Sequence, residues 1–268
     1  MSRMSFPDDY TKSFHQYFTI VFPILYNTGM EKKDFNELTI RPIAHIETDF
    51  PTKFGIPRQS DIVKNLYGRI VFEKEYRKEG ILRGLEGFSH IWVIWGFSAF
   101  EQQKEFSPTI RPPKLGGNTR VGVFASRSPN RPNPLGLSAL KIEKIDENCI
   151  DKPVIIVSGA DLMDGTPIYD IKPYLPAFDS IADAKEGYTK ETKNIHLDVI
   201  LDDSLKEKIP EEKREAVLGI LSQDPRPGFQ HDEKKIYGFF FSGMEIRFHV
   251  PDEKTVIVDS IEPKVKTK

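Results

Sequence analysis

Arg111, Lys114, Arg120, Arg127 and Arg131 fall between Arg111 and Ser138 with no acidic residue among them. A guanidinium offers a fork of donors that matches a carboxylate or a phosphate, and it stays charged at physiological pH. Prolines at 112, 113, 129, 132 and 134 and glycines at 116, 117, 122 and 136 are interleaved with these cations. Proline fixes φ in advance, and glycine lets the chain turn tightly or lets a ligand approach the backbone. Together with the apolar insert VGVF, this pattern describes a stiffened, cation-lined binding surface rather than a disordered segment. Within it only 120–126 and 137–145 read as strands. Asp161, Asp164 and Asp170 follow in the run DLMDGTPIYDIKP. They lack the spacing and terminal glutamate of a calcium loop. Two roles remain for them: capping backbone N–H groups around the Asp164-Gly165 turn, or accepting from amine or hydroxyl groups of a ligand. His90 enters the apolar run IWVIW either as a structural residue or as part of a pocket wall.

The elements that must hold these residues are mostly short strands. Alternating or β-branched and aromatic runs predict strands over 39–48, 68–76, 89–97 and 152–160, with a single helical turn near 82–88. DFPTKFGIPRQS between the first two is punctuated by Gly55 and Pro57 as a loop. After about residue 189 the pattern changes: a strand over 194–201 precedes a helix over 208–222 with Ala216, Val217, Ile220 and Leu221 on one face. Three strands near 234–241, 244–250 and 254–261 follow, with Ser242-Gly243 as a hairpin turn. The expected fold class is therefore mainly β: a barrel-like all-β domain over 39–188 and a small C-terminal α+β subdomain over 189–268. Residues 1–38 are a separate extension.

The chain has 268 residues, 38% of them hydrophobic, and a formal net charge of −2, so any attraction for nucleic acid must come from a local patch. No run of about 18 apolar residues marks a membrane span. The single cysteine, Cys149, excludes an internal disulfide and a cysteine-based metal cluster and fits a reduced, cytoplasmic setting. No P-loop, GxSxG, HExxH or strand-linked GxGxxG occurs.

KFGIPRQ (53–59), LRGLEGFSHIW (82–92), RPPKLGG (111–117), VGVFASRSPNRPNPLGLS (121–138) and DLMDGTPIYDIKPYLP (161–176) occur in an order that resembles the TrmO/TsaA-like (YaeB) family. LSQDPRPGF (221–229) resembles the second domain of its bacterial members. ASRSP and PLGLS stand where ATRSP and PIGLS are common, and Lys114 where arginine is frequent. The resemblance implies an all-β barrel that methylates the N6 atom of N6-threonylcarbamoyladenosine beside the anticodon of tRNA (position 37), using S-adenosyl-L-methionine and no metal. It also implies a homodimer with the site near the subunit interface. By motif, the cofactor contacts fall on Pro57, Arg58, Gln59, His90, Ile91, Arg127, Leu137, Asp164, Gly165, Thr166 and Pro167.

The residues by themselves agree with such a site. Arg127 suits the cofactor carboxylate, and Leu137 and Ile91 suit walls for its adenine. Arg111, Lys114, Arg120 and Arg131 suit tRNA phosphates. Asp164 and His90 are the candidates for a general base, without a choice between them. Phe124 or Tyr174 suits stacking on a base, although core packing is the expectation for Phe124. A non-catalytic RNA- or nucleotide-binding barrel is the alternative.

Overall fold

Alternating apolar residues close six short strands on themselves. β1 (Ala44–Thr48) turns Ala44 and Ile46 inward, and β2 (Tyr67–Phe72) does the same with Ile70 and Phe72. β3 (His90–Gly96) contributes Ile91 and Val93; β6 (Leu135–Asp146) adds Leu140; β7 (Val154–Ser158) adds Ile155 and Val157; β8 (Thr166–Pro173) adds Ile168. The order around the barrel is β1-β2-β7-β6-β3-β8, every neighbour antiparallel. A closed barrel has no free edges, and at this size side chains fill its interior. The computed structural model describes residues 38–99, 107–112, 115, 119–192, 196–226 and 232–264. Lys114 and the extension over 1–38, apart from Leu38, lie outside the described residues.

Several boundaries differ from expectation for local reasons. β8 was not expected, because Pro167, Asp170 and Pro173 break its apolar pattern; the prolines sit near its two ends, where strands tolerate them. The strand expected over 120–126 is limited to β5 (Val121–Gly122), which pairs with β4 (Thr109–Ile110) before a 3₁₀ turn over Val123–Ala125. β2 ends at Phe72, and Lys74–Tyr76 turns as a 3₁₀ helix.

In the C-terminal part, β9 (Asp198–Ile200) runs parallel to β12 (Thr255–Pro263). β10 (Tyr237–Phe241) and β11 (Met244–His249) complete a sheet ordered β10-β11-β12-β9. Between β10 and β11, Ser242 and Gly243 both take positive φ, 48° and 75°, as a two-residue primed hairpin turn requires. Two short helices, α1 (Pro176–Asp179) and α2 (Asp203–Lys206), precede α3 (Glu211–Ser222), which buries Ala216, Val217, Ile220 and Leu221. No helix among the described residues is long and apolar enough to cross a membrane.

This C-terminal core does not close on itself. It takes in Phe50, Val63 and Leu66 from the β1–β2 segment, with Phe54 and Ile56 packed against it. Polar ties follow the same seam: Ser242 N–H donates to the Asp49 carbonyl (2.9 Å), Lys213 Nζ meets the Asp49 carboxylate (2.5 Å), and Asn65 donates to Glu215. At Gly55, φ is +92° and a Cβ would stand 2.7 Å from the Phe239 ring, so only glycine lets the backbone lie on that ring. Arg41–Lys268 accordingly form one compact unit.

Phe239 is 1% exposed and carries the turn at Gly55. Phe239→Ala is expected to lower unfolding free energy by about 3–5 kcal/mol. In urea denaturation this appears as a lower midpoint, and limited proteolysis should newly cut within 51–60.

Candidate active site

At the Trp95 end of the barrel, three loops and the strand ends enclose a cavity of ≈ 710 Å³. The β1–β2 segment brings Pro57, Arg58 and Gln59; the loop after β5 brings Phe124, Arg127 and Arg131; the barrel mouth supplies Trp95, Leu137, Asp161 and Thr166. The Trp95 indole N–H donates to Ser138 Oγ at 3.0 Å. Its ring lies so close to Gly136 that a Cβ there would stand 2.2 Å away, which makes a flat apolar floor. Arg127 donates to Gln59 Oε1 and so joins two of the loops, while Arg131 donates to the Ser126 carbonyl at 2.9 Å.

Asp161 lies where the chain leaves β7. Asp61 N–H donates to the Gly159 carbonyl (3.0 Å), Ala160 N–H to the Leu66 carbonyl (3.1 Å), and Thr48 Oγ to the Leu162 carbonyl (3.1 Å). These bonds pin the backbone on both sides of Asp161, which is part of the cavity lining. Its Oδ1 is buried without a hydrogen-bond partner. Burial pushes the carboxyl up from its ordinary value of 3.8 to about 6, against the opposing pull of Ser138, the Ser60 backbone and Arg127. Burial also lowers the Arg58 guanidinium, with Asp224 beyond α3 opposing. Among the described residues, Lys53, Arg58, Arg127 and Arg131 give the cavity four cations, and Asp161 is the one carboxylate in its lining.

The structure brings Pro57, Arg58, Gln59, Arg127, Leu137 and Thr166 together here, and adds Arg131. His90 and Ile91 stand at the opposite end of β3, about 20 Å along the strand from Gly96 at roughly 3.3 Å per residue. Ile91 fills the barrel core, and His90 Nδ1 shares a hydrogen bond with Ser89 Oγ at 2.8 Å. Asp164 caps a turn, accepting from Thr48 N–H at 3.0 Å, and Asp164, Gly165 and Pro167 are not in the cavity lining. Arg111 and Arg120 are exposed, and Arg120 donates to Thr109 Oγ at 2.7 Å. Tyr174 packs beside Trp92 and His90, away from the cavity. Phe124 departs from the core role expected for it: it is 77% exposed on the cavity lining. Asp161 was visible in the sequence only as one of three nearby carboxylates, since nothing local marks which of them the fold will bury. Among the described residues, no group of three or more His, Cys, Asp or Glu is placed to hold a metal ion.

Comparison with known proteins matches residues 45–180 to the tRNA-methyltransferase O N-terminal domain and 195–264 to the TrmO C-terminal domain. The chain is 38% identical over 221 residues to the tRNA (adenine(37)-N6)-methyltransferase of Escherichia coli, covering 78% of this chain and 92% of that protein. A Pseudomonas aeruginosa protein named for S-adenosylmethionine-dependent methyl transfer is 33% identical over 223 residues, or 80% of this chain and 93% of its own. A crystal structure of TrmO from P. aeruginosa superposes with a TM-score of 0.69 at 27% identity, over 85% of this chain and 97% of that one.

The raised carboxyl fixes the sign of one stability effect. Folded Asp161 holds its proton more tightly than the unfolded chain does, so its contribution is retained below pH 3.8 and lost as pH rises toward 6. Asp161→Asn removes the buried charge. It is expected to raise stability at pH 7.5 by up to about 3 kcal/mol, from about two pKa units at 1.36 kcal/mol each. Denaturant unfolding of both proteins at pH 7.5 and pH 3.5 checks this; the gain should vanish at the lower pH.

Proposed function

The chain belongs to the tRNA-methyltransferase O family, and we propose that it methylates the N6 atom of N6-threonylcarbamoyladenosine at position 37 of tRNA with S-adenosyl-L-methionine. Family membership makes it a tRNA methyltransferase; the threonylcarbamoyl group, the cofactor's place and the residue roles are the proposal. The observation that carries it is the single cavity where the PRQ loop, Arg127, Leu137 and Thr166 meet.

The lining fits that cofactor. Its volume lies in the range of small-molecule sites, about 300–1,000 Å³. Arg127, with Arg58 and Lys53 beside it, offers forked donors and positive charge to a carboxylate. Leu137, Ile56, Leu162 and Met163 supply apolar walls for an adenine, and Thr166 and Gln59 supply polar groups for ribose hydroxyls. When bound, the cofactor supplies an electrophilic methyl group on a sulfonium. The protein's part is chiefly orientation, which can account for about 7–11 kcal/mol of a two-reactant barrier. Pro57 and the Arg127–Gln59 bond hold the loops that form the walls. The exposed Phe124 ring offers a stacking face to a splayed-out base, and Arg131 a cation beside it. Arg111 and Arg120, outside the cavity, and Lys114 of the same basic stretch are assigned to tRNA phosphates.

The reading includes a cytoplasmic homodimer. Phe124 and Leu137, 77% and 50% exposed, are apolar surface that a second copy or the tRNA would cover. Of the motif positions His90 and Ile91, only the partly exposed His90 could meet a site formed with a second copy, since Ile91 is buried in the barrel core.

Calorimetric titration should give micromolar affinity for S-adenosylmethionine, about −8 kcal/mol, with Arg127→Ala weaker by at least about tenfold. Equal binding by the variant would remove the cofactor from this cavity. After incubation with threonylcarbamoylated tRNA, nucleoside mass spectrometry should find one added methyl group on the threonylcarbamoyladenosine; methylation of unmodified adenosine 37 instead would overturn the substrate assignment. Arg111→Ala and Arg120→Ala should each flatten the slope of log affinity for tRNA against log salt by about one unit.

A further inference from the structure

We infer that Asp161 is the catalytic residue that takes the N6 proton, an assignment that rests on the methyl-transfer reading above. The first argument is chemical. A nitrogen that acquires a methyl group while keeping its own hydrogen becomes cationic, so that hydrogen must leave as the new bond forms. The acceptor must lie in the cavity and be unprotonated at neutral pH. The charged groups facing the cavity are Lys53, Arg58, Arg127, Arg131 and Asp161. The four basic groups are hydrogen-bond donors rather than acceptors. The remaining polar side chains, among them Gln59, Ser126, Asn133 and Thr166, are amides and hydroxyls, too weakly basic to serve. Among the described residues, no histidine lines the cavity. Asp161 alone meets the requirement among the described residues.

The second argument is geometric. Buried carboxylate oxygens are normally hydrogen-bonded, and an orphan requires an explanation. Asp161 lines the cavity, and its Oδ1 is buried without a hydrogen-bond partner, so the carboxylate is left with unused acceptor capacity. The backbone bonds at Gly159, Ala160 and Leu162 fix its position before substrate arrives. Asp164 is spent on Thr48 N–H, and His90 lies at the far end of β3. The elevated carboxyl supports the role: a base with affinity for a proton near neutrality accepts it more readily than a fully solvated aspartate. Ser138 first, and then Arg127, oppose the effect of burial, and a value of about 6 leaves the carboxyl mostly ionised at pH 7.

The step balances as a single displacement. N6 gives its electron pair to the methyl carbon, the carbon–sulfur bond breaks with its pair left on sulfur, and the Asp161 carboxylate takes the N6 proton. The products are the N6-methylated nucleoside, the neutral thioether and protonated Asp161. The proton then passes to water after the products leave.

The test compares wild type, Asp161→Asn and Asp161→Glu in single-turnover methyl transfer to threonylcarbamoylated tRNA, with enzyme and cofactor saturating. Asp161→Asn should be slower by about 10²–10⁴-fold, and Asp161→Glu should recover part of that loss. The wild-type rate should climb about tenfold per pH unit up to about pH 6 and then level, while the Asn variant stays flat. In the cofactor-free protein, the carboxyl carbon resonance absent from the Asn variant should titrate with a midpoint near 6. Cofactor and tRNA affinities, measured separately by calorimetry, should change by no more than about threefold in the Asn variant. A variant that binds cofactor poorly yet transfers at the wild-type rate once saturated makes Asp161 a cofactor clamp and overturns the assignment. A fully active Asn variant, or a carboxyl midpoint near 4, also overturns it. A wild-type enzyme that transfers no methyl group to this tRNA overturns the substrate reading, and the assignment falls with it.

Discussion

The β1–β2 segment is buried from its far side by the C-terminal sheet and α3, and the cavity depends on that packing. Phe50, Val63 and Leu66 belong to the C-terminal core, not to the barrel's. Gly55 lies on the Phe239 ring, and Asp49 is tied to Ser242 and Lys213. An 18-residue connection between two strands would ordinarily be mobile surface. Here it is an ordered layer between two cores, with Pro57, Arg58 and Gln59 on its cavity side. The C-terminal part is therefore a structural member of the site, whatever else it touches.

From that layer the constraint passes to Asp161. The same segment supplies the partners that hold the turn after β7, through Asp61 and Leu66. A carboxylate is thus fixed in a cavity with one oxygen unsatisfied and with burial opposing its charge. Such an arrangement costs stability, and it persists in a folded protein because the surrounding packing over-determines it. The four cations of the lining act in the other sense. They leave the cavity attractive to anionic groups, although the chain as a whole is close to neutral.

The sequence was legible wherever a local signal decided the outcome. The buried face of α3, the Ser242-Gly243 turn and the β-rich, barrel-like class follow from side-chain periodicity and from backbone preferences that neighbouring residues settle. The ordered motifs marked the family, and the cationic stretch contributes Arg127, Arg131 and Leu137 to the cavity. β8 was illegible because its prolines and Asp170 mimic a loop, and only pairing on both sides, to β1 and β3, makes it a strand. Phe124 is apolar by type, and no pattern along the chain reveals that its 3₁₀ turn faces outward.

Among Asp161, Asp164 and Asp170 the chain by itself offers three equivalent carboxylates within ten residues. Tertiary structure separates them: Asp164 reaches a backbone N–H of β1, Asp170 pairs with Lys172, and Asp161 alone is desolvated in the cavity. Residue type and spacing determined which chemistry was available. Which carboxylate loses its water, and which cations gather around it, was decided only by closure of the barrel and by the β1–β2 segment packing under the C-terminal sheet. Burial is a property of distant neighbours brought together, and it is not written in the residues on either side.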